Sequence, residues 1–284
     1  MVKINKYFLP YILIFILIGF KGELIWSFII VIFHEVMHYI TARYFGFTGF
    51  DMEILPIGTV LKLKNLDEAT PKEDLIISMS GPLLNLIMAV IFYLLNFVMP
   101  RSYFDTLYLG NLVLGLFNLL PALPLDGGRI LRDLLSLKII YRRANNLTIR
   151  CSIIMGVLLM LCYFLLFFSG RSNFNIGVIA LFILVTSLKE KERIAYIIMG
   201  DIIKKKYKLI RRGYMENKSI SIYYKSDLIS ILSIVDKNRY NMFTILDKDM
   251  KVMDIIYEDE VIEGLKVYGN INVEEFIKYR EENM

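Results

Sequence analysis

The sequence predicts a mostly α-helical, polytopic membrane protein of about six transmembrane helices with a re-entrant β-like loop, followed by a small soluble α/β domain. Three observations predict it. Of the 284 residues, 56% are hydrophobic, and a mean hydropathy of +0.53 lies far above the usual soluble range. Charged residues are sparse up to Lys189 and dense after it. Before that change come six apolar runs, near residues 7–20, 24–42, 75–100, 103–125, 151–168 and 174–188.

The first run follows MVKINKY, and no small-residue cleavage site comes after it, so it reads as an uncleaved anchor rather than a removed signal. A helix needs roughly 17–25 residues to cross a bilayer. The second to fifth runs meet that length, while the first and sixth are short and draw on Lys6, Lys21 and Arg171 at the interface. The segment from Arg129 to Arg150 carries Arg129, Arg132, Lys138, Arg142, Arg143 and Arg150 against one acid, Asp133. That bias makes it a cytoplasmic loop. Counting spans in both directions from it predicts an integral, multi-pass membrane protein with both termini in the cytoplasm.

Between the second and third runs, TVLKLKNL (59–66) alternates apolar and polar residues as a half-buried strand does. Gly46, Gly49, Pro56 and Gly58 punctuate the stretch before it. Two readings stay open: a plain cytoplasmic loop, or a re-entrant hairpin, allowed at membrane depth only where protein covers it or water reaches it. Beyond Lys189 a charged helical connector leads into SISIYY, SDLISILSIVDKN, YNMFTILD and KVMDIIYEDEVIEGL, the short strands and amphipathic helices of a small α/β module. The expected domains are therefore a membrane domain at 1–190, a linker at 191–212 and a cytoplasmic module at 213–284.

Charge and cysteines narrow the function classes. The net charge of +5 is modest and its basic residues cluster in a few loops, where they act as topology signals, so no nucleic-acid partner is expected. Cys151 and Cys162 both fall in the fifth run and read as buried small hydrophobes, not as a disulfide framework or a metal site.

The chemistry is concentrated at HEVMH (34–38), which holds both histidines of the chain. It fits the H-E-x-x-H pattern: on a helix, positions i and i+4 face the same way, so His34 and His38 can ligate one zinc ion. Glu35 beside them is placed to take a proton from water at the metal. A catalytic zinc needs a third protein ligand. With no third histidine, that ligand has to be a carboxylate. Asp126 stands out in NLLPALPLDGGR (118–129), where Pro121 and Pro124 break the helix and Gly127 and Gly128 free the backbone. Asp126 could instead only cap the helix that follows, RILRDLLSLKI. Glu53 and Asp105 are weaker candidates for the ligand.

HEVMH, SGPLLN (80–85) and NLLPALPLDGG (118–128) together resemble the three motifs of the site-2 proteases, polytopic zinc metalloproteases that cut substrates within or near the membrane. The resemblance covers residues 1 to about 190. The six spans and single C-terminal module further resemble the sporulation branch, of the stage IV sporulation protein FB type, and the module resembles one cystathionine-β-synthase (CBS) domain. The resemblance implies one zinc per chain on His34, His38 and Asp126, with Glu35 as catalytic acid/base and Asn118 near the substrate or the developing oxyanion. SGPLLN would pack close to the active-site helix, where Gly81 permits near approach; the plainer reading of that motif is a proline-started helix without a catalytic part.

The same resemblance implies a membrane-tethered protein substrate, a pro-sigma factor in sporulation signalling, with ATP at the C-terminal module and inhibitory membrane proteins as partners. The lipid bilayer and a second copy of the chain are further candidate partners. Three rivals differ in what they explain. A membrane zincin with a distant Glu ligand leaves NLLPALPLDGG unexplained, and a desaturase needs more than two histidines. A catalytically silent, nucleotide-sensing scaffold or transporter has no need of His34, Glu35, His38 and Asp126 together.

Overall fold

The computed structural model of the protein describes residues 2–4, 23–47, 50–55, 58–63, 66, 69–99, 101–170, 174–237 and 239–282. The apolar run 7–20, read above as an anchor, lies outside them. The chain divides into two units, residues 1–137 with 147–190, and residues 138–146 with 191–284.

In the first unit, strand β1 (Val2–Ile4) is followed by helix α1 (Glu23–Tyr44). Helix α1 stops at Gly46, whose φ of +84° turns the chain, so that the Phe47 amide donates to the Ala42 carbonyl. Strands β2 (Phe50–Leu55) and β3 (Gly58–Leu63) then form an antiparallel hairpin, with Phe50 opposite Leu63 and Leu55 opposite Gly58. Strand β1 joins the far side of β2 in parallel, giving the order β1-β2-β3. The strand expected at 59–66 is β3 over its described residues, and β2 pairs with it as a hairpin, one of the two readings open for this stretch; β1 has no counterpart in the sequence reading.

Helix α2 (Pro71–Val98) begins with a capping box between Thr70 and Glu73 and with Pro71 in its first turn. Pro82 therefore lies inside this helix, and the plainer reading of SGPLLN as a helix start is corrected. The next helix, α3 (Ser102–Asn118), ends where Pro121 and Pro124 forbid its continuation. It is followed by α4 (Asp126–Ser136), α5 (Tyr141–Phe168) and α6 (Phe174–Arg212). The stretch expected as a loop from 129 to 150 is thus mostly helical. No Gly or Pro stands between Arg129 and Met155 to break it, and Arg142, Arg143 and Arg150 ride on α5.

Among the described residues, three helices have the length and apolarity to cross a membrane: Ile25–Tyr44, Pro71–Val98 and Tyr141–Phe168. Their outward faces are strongly apolar. Val90, Leu94 and Phe97 on α2 and Leu158, Leu161 and Leu165 on α5 are all exposed. Surfaces this large and apolar belong against lipid, not water. Cys151 and Cys162 are exposed on α5 as well, a correction to their expected burial: they sit on an outward helix face rather than in a protein core.

The second unit contains the α/β module. Strand β4 (Asn217–Tyr223), helix α7 (Leu228–Ser233), strands β5 (Tyr240–Leu246) and β6 (Val252–Tyr257), and helices α8 (Glu258–Tyr268) and α9 (Val273–Glu282) follow in order. Strand β5 pairs in parallel with β4 and antiparallel with β6. The alternation of YNMFTIL buries Phe243 and Ile245 against Leu228, Ile231, Ile256 and Val261. Near the end of α6, Lys205 is buried against Glu258 (2.8 Å), whose carboxylate also receives the Asn241 amide (2.7 Å).

Candidate metal centre

Helix α1 carries His34 and His38 one turn apart, both almost fully buried. Asp126, 88 residues further along, is brought to them at the first turn of α4. Its Oδ2 lies 3.0 Å from His34 Nε2 and 3.0 Å from His38 Nε2, and the two Nε2 atoms are 3.1 Å apart. Three potential ligand atoms thus form a nearly equilateral triangle. Among the described residues this is the one cluster of His, Cys, Asp and Glu able to hold a metal ion. Asp105 instead accepts from Asn96 (2.7 Å), and Glu53 lies on β2.

Two close approaches build the triangle. A Cβ placed on Gly81 would lie 2.5 Å from His38 Nε2 and 2.7 Å from His34 Cε1, so only glycine lets α2 press on both rings. Asp126 is aimed by the backbone around it. A Cβ on Gly127 would lie 2.3 Å from the Leu119 and Leu120 carbonyl oxygens, and one on Gly128 2.5 Å from the Leu123 amide nitrogen. The turn is therefore folded directly onto the chain that precedes it. Ser152 Oγ accepts from the Leu123 amide (2.8 Å) and Ser187 Oγ donates to the Leu123 carbonyl (3.3 Å), fixing the segment from the other side. Leu125, not Asp126, is the residue before the helix, and it makes no side-chain cap. The capping reading of Asp126 gives way to one in which its carboxylate faces the histidines.

Around the triangle, side chains fix orientation. His38 Nδ1 lies 2.7 Å from the Ile77 carbonyl oxygen, which can only accept, so Nδ1 carries the proton. The Ser80 hydroxyl, 3.3 Å from the same nitrogen, donates to that carbonyl as well (2.7 Å). Arg129 lies 3.8 Å from Asp126 Oδ1 and pairs with Asp74 on α2, which also receives Arg132 at 2.7 Å. Behind them, Asp133 sits 3.2 Å from Arg132 Nε. Burial pushes the Asp133 carboxyl up to about 7, with the Arg132 guanidinium opposing and the Asp74 carboxylate reinforcing the shift. Sequence reading missed the roles of Asp74, Ile77, Arg129, Ser152 and Ser187. Of these, only the Arg129–Asp126 spacing of three residues carried a local signal.

Glu35 is half-buried on α1 beside the triangle. Asn118, the last residue of α3, donates its amide to the Leu114 carbonyl one turn back (3.1 Å). Among the described residues, no hydrogen bond joins it to His34, His38 or Asp126.

The donor set fits zinc. Two imidazole nitrogens and one carboxylate oxygen are a zinc ligand set, and tetrahedral ligands about 2.0–2.1 Å from the ion stand roughly 3.3 Å apart. The observed spacing of 3.0–3.1 Å needs an opening of only a few tenths of an ångström. With Nδ1 protonated, His38 also turns a lone pair on Nε2 toward a carboxylate oxygen 3.0 Å away. A neutral ring there leaves two acceptors facing each other, an arrangement that a metal ion between them stabilises.

Residues 23–102 and 97–161 match the model of peptidase family M50. Over residues 23–161 the chain is similar to this family. A zinc metalloprotease of Methanocaldococcus jannaschii is 36% identical over 131 residues, 42% of this chain and 36% of that protein. Stage IV sporulation protein FB of Bacillus subtilis is 26% identical over 194 residues, 68% of this chain and 66% of that protein. The chain thus spans about a third of the first relative's length and just under two thirds of the second's. Among solved structures, the site-2 protease from Methanocaldococcus jannaschii superposes with a TM-score of 0.52 at 26% identity, covering 67% of this chain and 90% of that one. The M50 match covers α1 to α5, and so includes HEVMH, SGPLLN and LDGG.

Proposed function

We propose that the chain is an intramembrane zinc metalloendopeptidase of the site-2 type. The observation that carries this reading is the triangle of His34 Nε2, His38 Nε2 and Asp126 Oδ2, closed by Gly81 and set in apolar helices. These three residues would hold the ion. When bound, it supplies Lewis-acid stabilisation of the charge that develops on the scissile carbonyl oxygen. Glu35, half-buried one residue from His34, takes a proton from the attacking water and returns it to the leaving amine as the C–N bond breaks. Asn118 would serve substrate or oxyanion after releasing its bond to Leu114.

A substrate helix hides its carbonyls in hydrogen bonds, so it has to unwind before cleavage. Among the described residues β3 is an outer strand of its sheet, and its edge away from β2 can pair with the unwound segment. The substrate is a membrane-tethered protein, and similarity to a stage IV sporulation protein supports a pro-sigma factor. Six spans with both termini in the cytoplasm accommodate the three long apolar helices together with the shorter apolar segments. The β4-α7-β5-β6-α8 order of the C-terminal module supports a CBS-like fold; binding of substrate and ATP there is what the resemblance implies.

The test is cleavage of a membrane-tethered reporter in lipid vesicles by wild type and Glu35→Gln. The variant is expected to keep its zinc and lose about 100-fold or more of the cleavage rate. Undiminished cleavage by Glu35→Gln would remove the role assigned to this carboxylate.

A further inference from the structure

The two histidines of the centre are not equally well held. His38 donates Nδ1–H to the Ile77 carbonyl, whereas His34 Nδ1, equally buried, has no partner among the described residues. A histidine that ligates a metal through one ring nitrogen almost always gives its other N–H to an acceptor, which fixes the tautomer and the ring plane. A buried ring N–H without one loses the free energy of a hydrogen bond. A second side chain in the same region has the complementary deficit. Asn85 is 1% exposed, and among the described residues neither its amide nitrogen nor its carbonyl oxygen finds a partner.

The register of the two helices relates these vacant groups. Ile77 meets His38, and Gly81, one turn on, touches both rings. Helix α2 therefore runs past α1 in the opposite sense, and a further turn along the same face, past the level of His34, is Asn85. Helical side chains lean toward the N-terminus of their own helix, which from position 85 is the direction of Gly81. The Asn85 Cβ packs against α3, 3.3 Å from where a Cβ on Gly115 would stand, which closes the space from the far side. Ser78 Oγ also lacks a partner, but it lies beside Ile77, at the end of the interface where His38 is already satisfied.

We propose that Asn85 is the positioning residue for His34, its side-chain oxygen receiving the Nδ1–H through one buried water. The site offers the polar partners a buried water needs, since among the described residues the Asn85 amide and carbonyl and His34 Nδ1 all lack one. In this arrangement α2 orients both ligands at intervals of one turn: a backbone carbonyl at 77 for His38, close contact at 81 with both, and an amide at 85 for His34. SGPLLN then has two functions, close approach at Gly81 and tautomer control at Asn85. The inference rests on the zinc-centre reading given above.

The test is zinc affinity of the full chain in detergent, by competition with a chromophoric chelator, for wild type, His34→Ala, Asn85→Leu, Asn85→Ala and Asn85→Asp. Thermal unfolding of the metal-free samples reports folding separately. Asn85→Leu and Asn85→Ala are expected to bind zinc about 10- to 100-fold more weakly. Asn85→Asp, which still accepts from Nδ1–H, is expected to hold it at least as tightly as wild type. A packing role predicts the reverse order, with leucine tolerated and the buried carboxylate harmful. Wild-type affinity in both Asn85→Leu and Asn85→Ala, or equal losses in Asn85→Asp and Asn85→Ala, would overturn the proposal. Should Asn85→Leu fail to fold, the last comparison decides alone. If wild type binds no zinc and His34→Ala changes nothing, the metal reading itself fails, a result distinct from wild-type binding that Asn85 does not affect.

Discussion

Replacing Gly81 by alanine would put a methyl carbon 2.5 Å from His38 Nε2, 2.6 Å from His38 Cε1 and 2.7 Å from His34 Cε1. Ordinary carbon contacts begin near 3.4 Å, so the two helices or the two rings must separate by about 0.9 Å. The His38 ring has little room to yield, because its Nδ1 is bonded to the Ile77 carbonyl of the same helix that carries the new methyl. Metal–ligand distances tolerate only about 0.2 Å. A displacement several times larger removes at least one imidazole from the triangle. The expected result is a zinc affinity reduced by at least about 100-fold, with an overpacking cost of roughly 1–3 kcal/mol that leaves the protein folded. Gly156→Ala is the control: its methyl on α5 would meet the flexible Leu184 side chain at 2.8 Å and Ile183 Cγ2 at 3.4 Å, and none of these nearest atoms belongs to the three ligands or to α2. Zinc titration and thermal unfolding of the two variants in detergent form the assay. Gly81→Ala with wild-type zinc affinity would refute the claim that close approach of α2 sets the ligand geometry.

Two further perturbations test the surroundings of the centre. In Gly127→Ala the new methyl meets two backbone carbonyl oxygens at 2.3 Å, which cannot swing away. Zinc binding and thermal stability should therefore fall together, and loss of neither would show that the Asp126 turn is looser than described. Asp133 gives a pH test: an acid raised from about 3.9 when unfolded to about 7 when buried stabilises the fold fully below the lower value. That contribution is lost as pH rises through the upper one. Asp133→Asn, which cannot ionise, should flatten the decline in melting temperature between about pH 4 and pH 7, and an unchanged decline would count against the assignment.

The parts of the centre legible in sequence are those whose chemistry is local. His34 and His38 share a helix face because they are four residues apart, and Asp126 is marked by the prolines before it and the glycines after it. The residues that orient these ligands were not legible. The Ile77 carbonyl carries no side-chain signal, and Asp74 meets Arg129 and Arg132 across more than 50 residues of chain. The hairpin shows the same division. TVLKLK announced β3 by its alternation, and FDMEIL carried the same alternation, yet the pairing of β2 with Val2–Ile4 depends on a contact some 50 residues distant. Helix α5 was drawn ten residues short because arginines at 142, 143 and 150 were taken as loop, although nothing there breaks a helix.

The most direct test is the metal itself: zinc per chain in detergent-purified protein, wild type beside Asp126→Ala. Asp126 is chosen because it comes from a different helix than the histidines, so its contribution depends on the tertiary arrangement and not on HEVMH alone. The account predicts about one zinc per wild-type chain and a collapse of that value in the variant. Full stoichiometry in Asp126→Ala, or no zinc in well-folded wild type after zinc is added back, would contradict it.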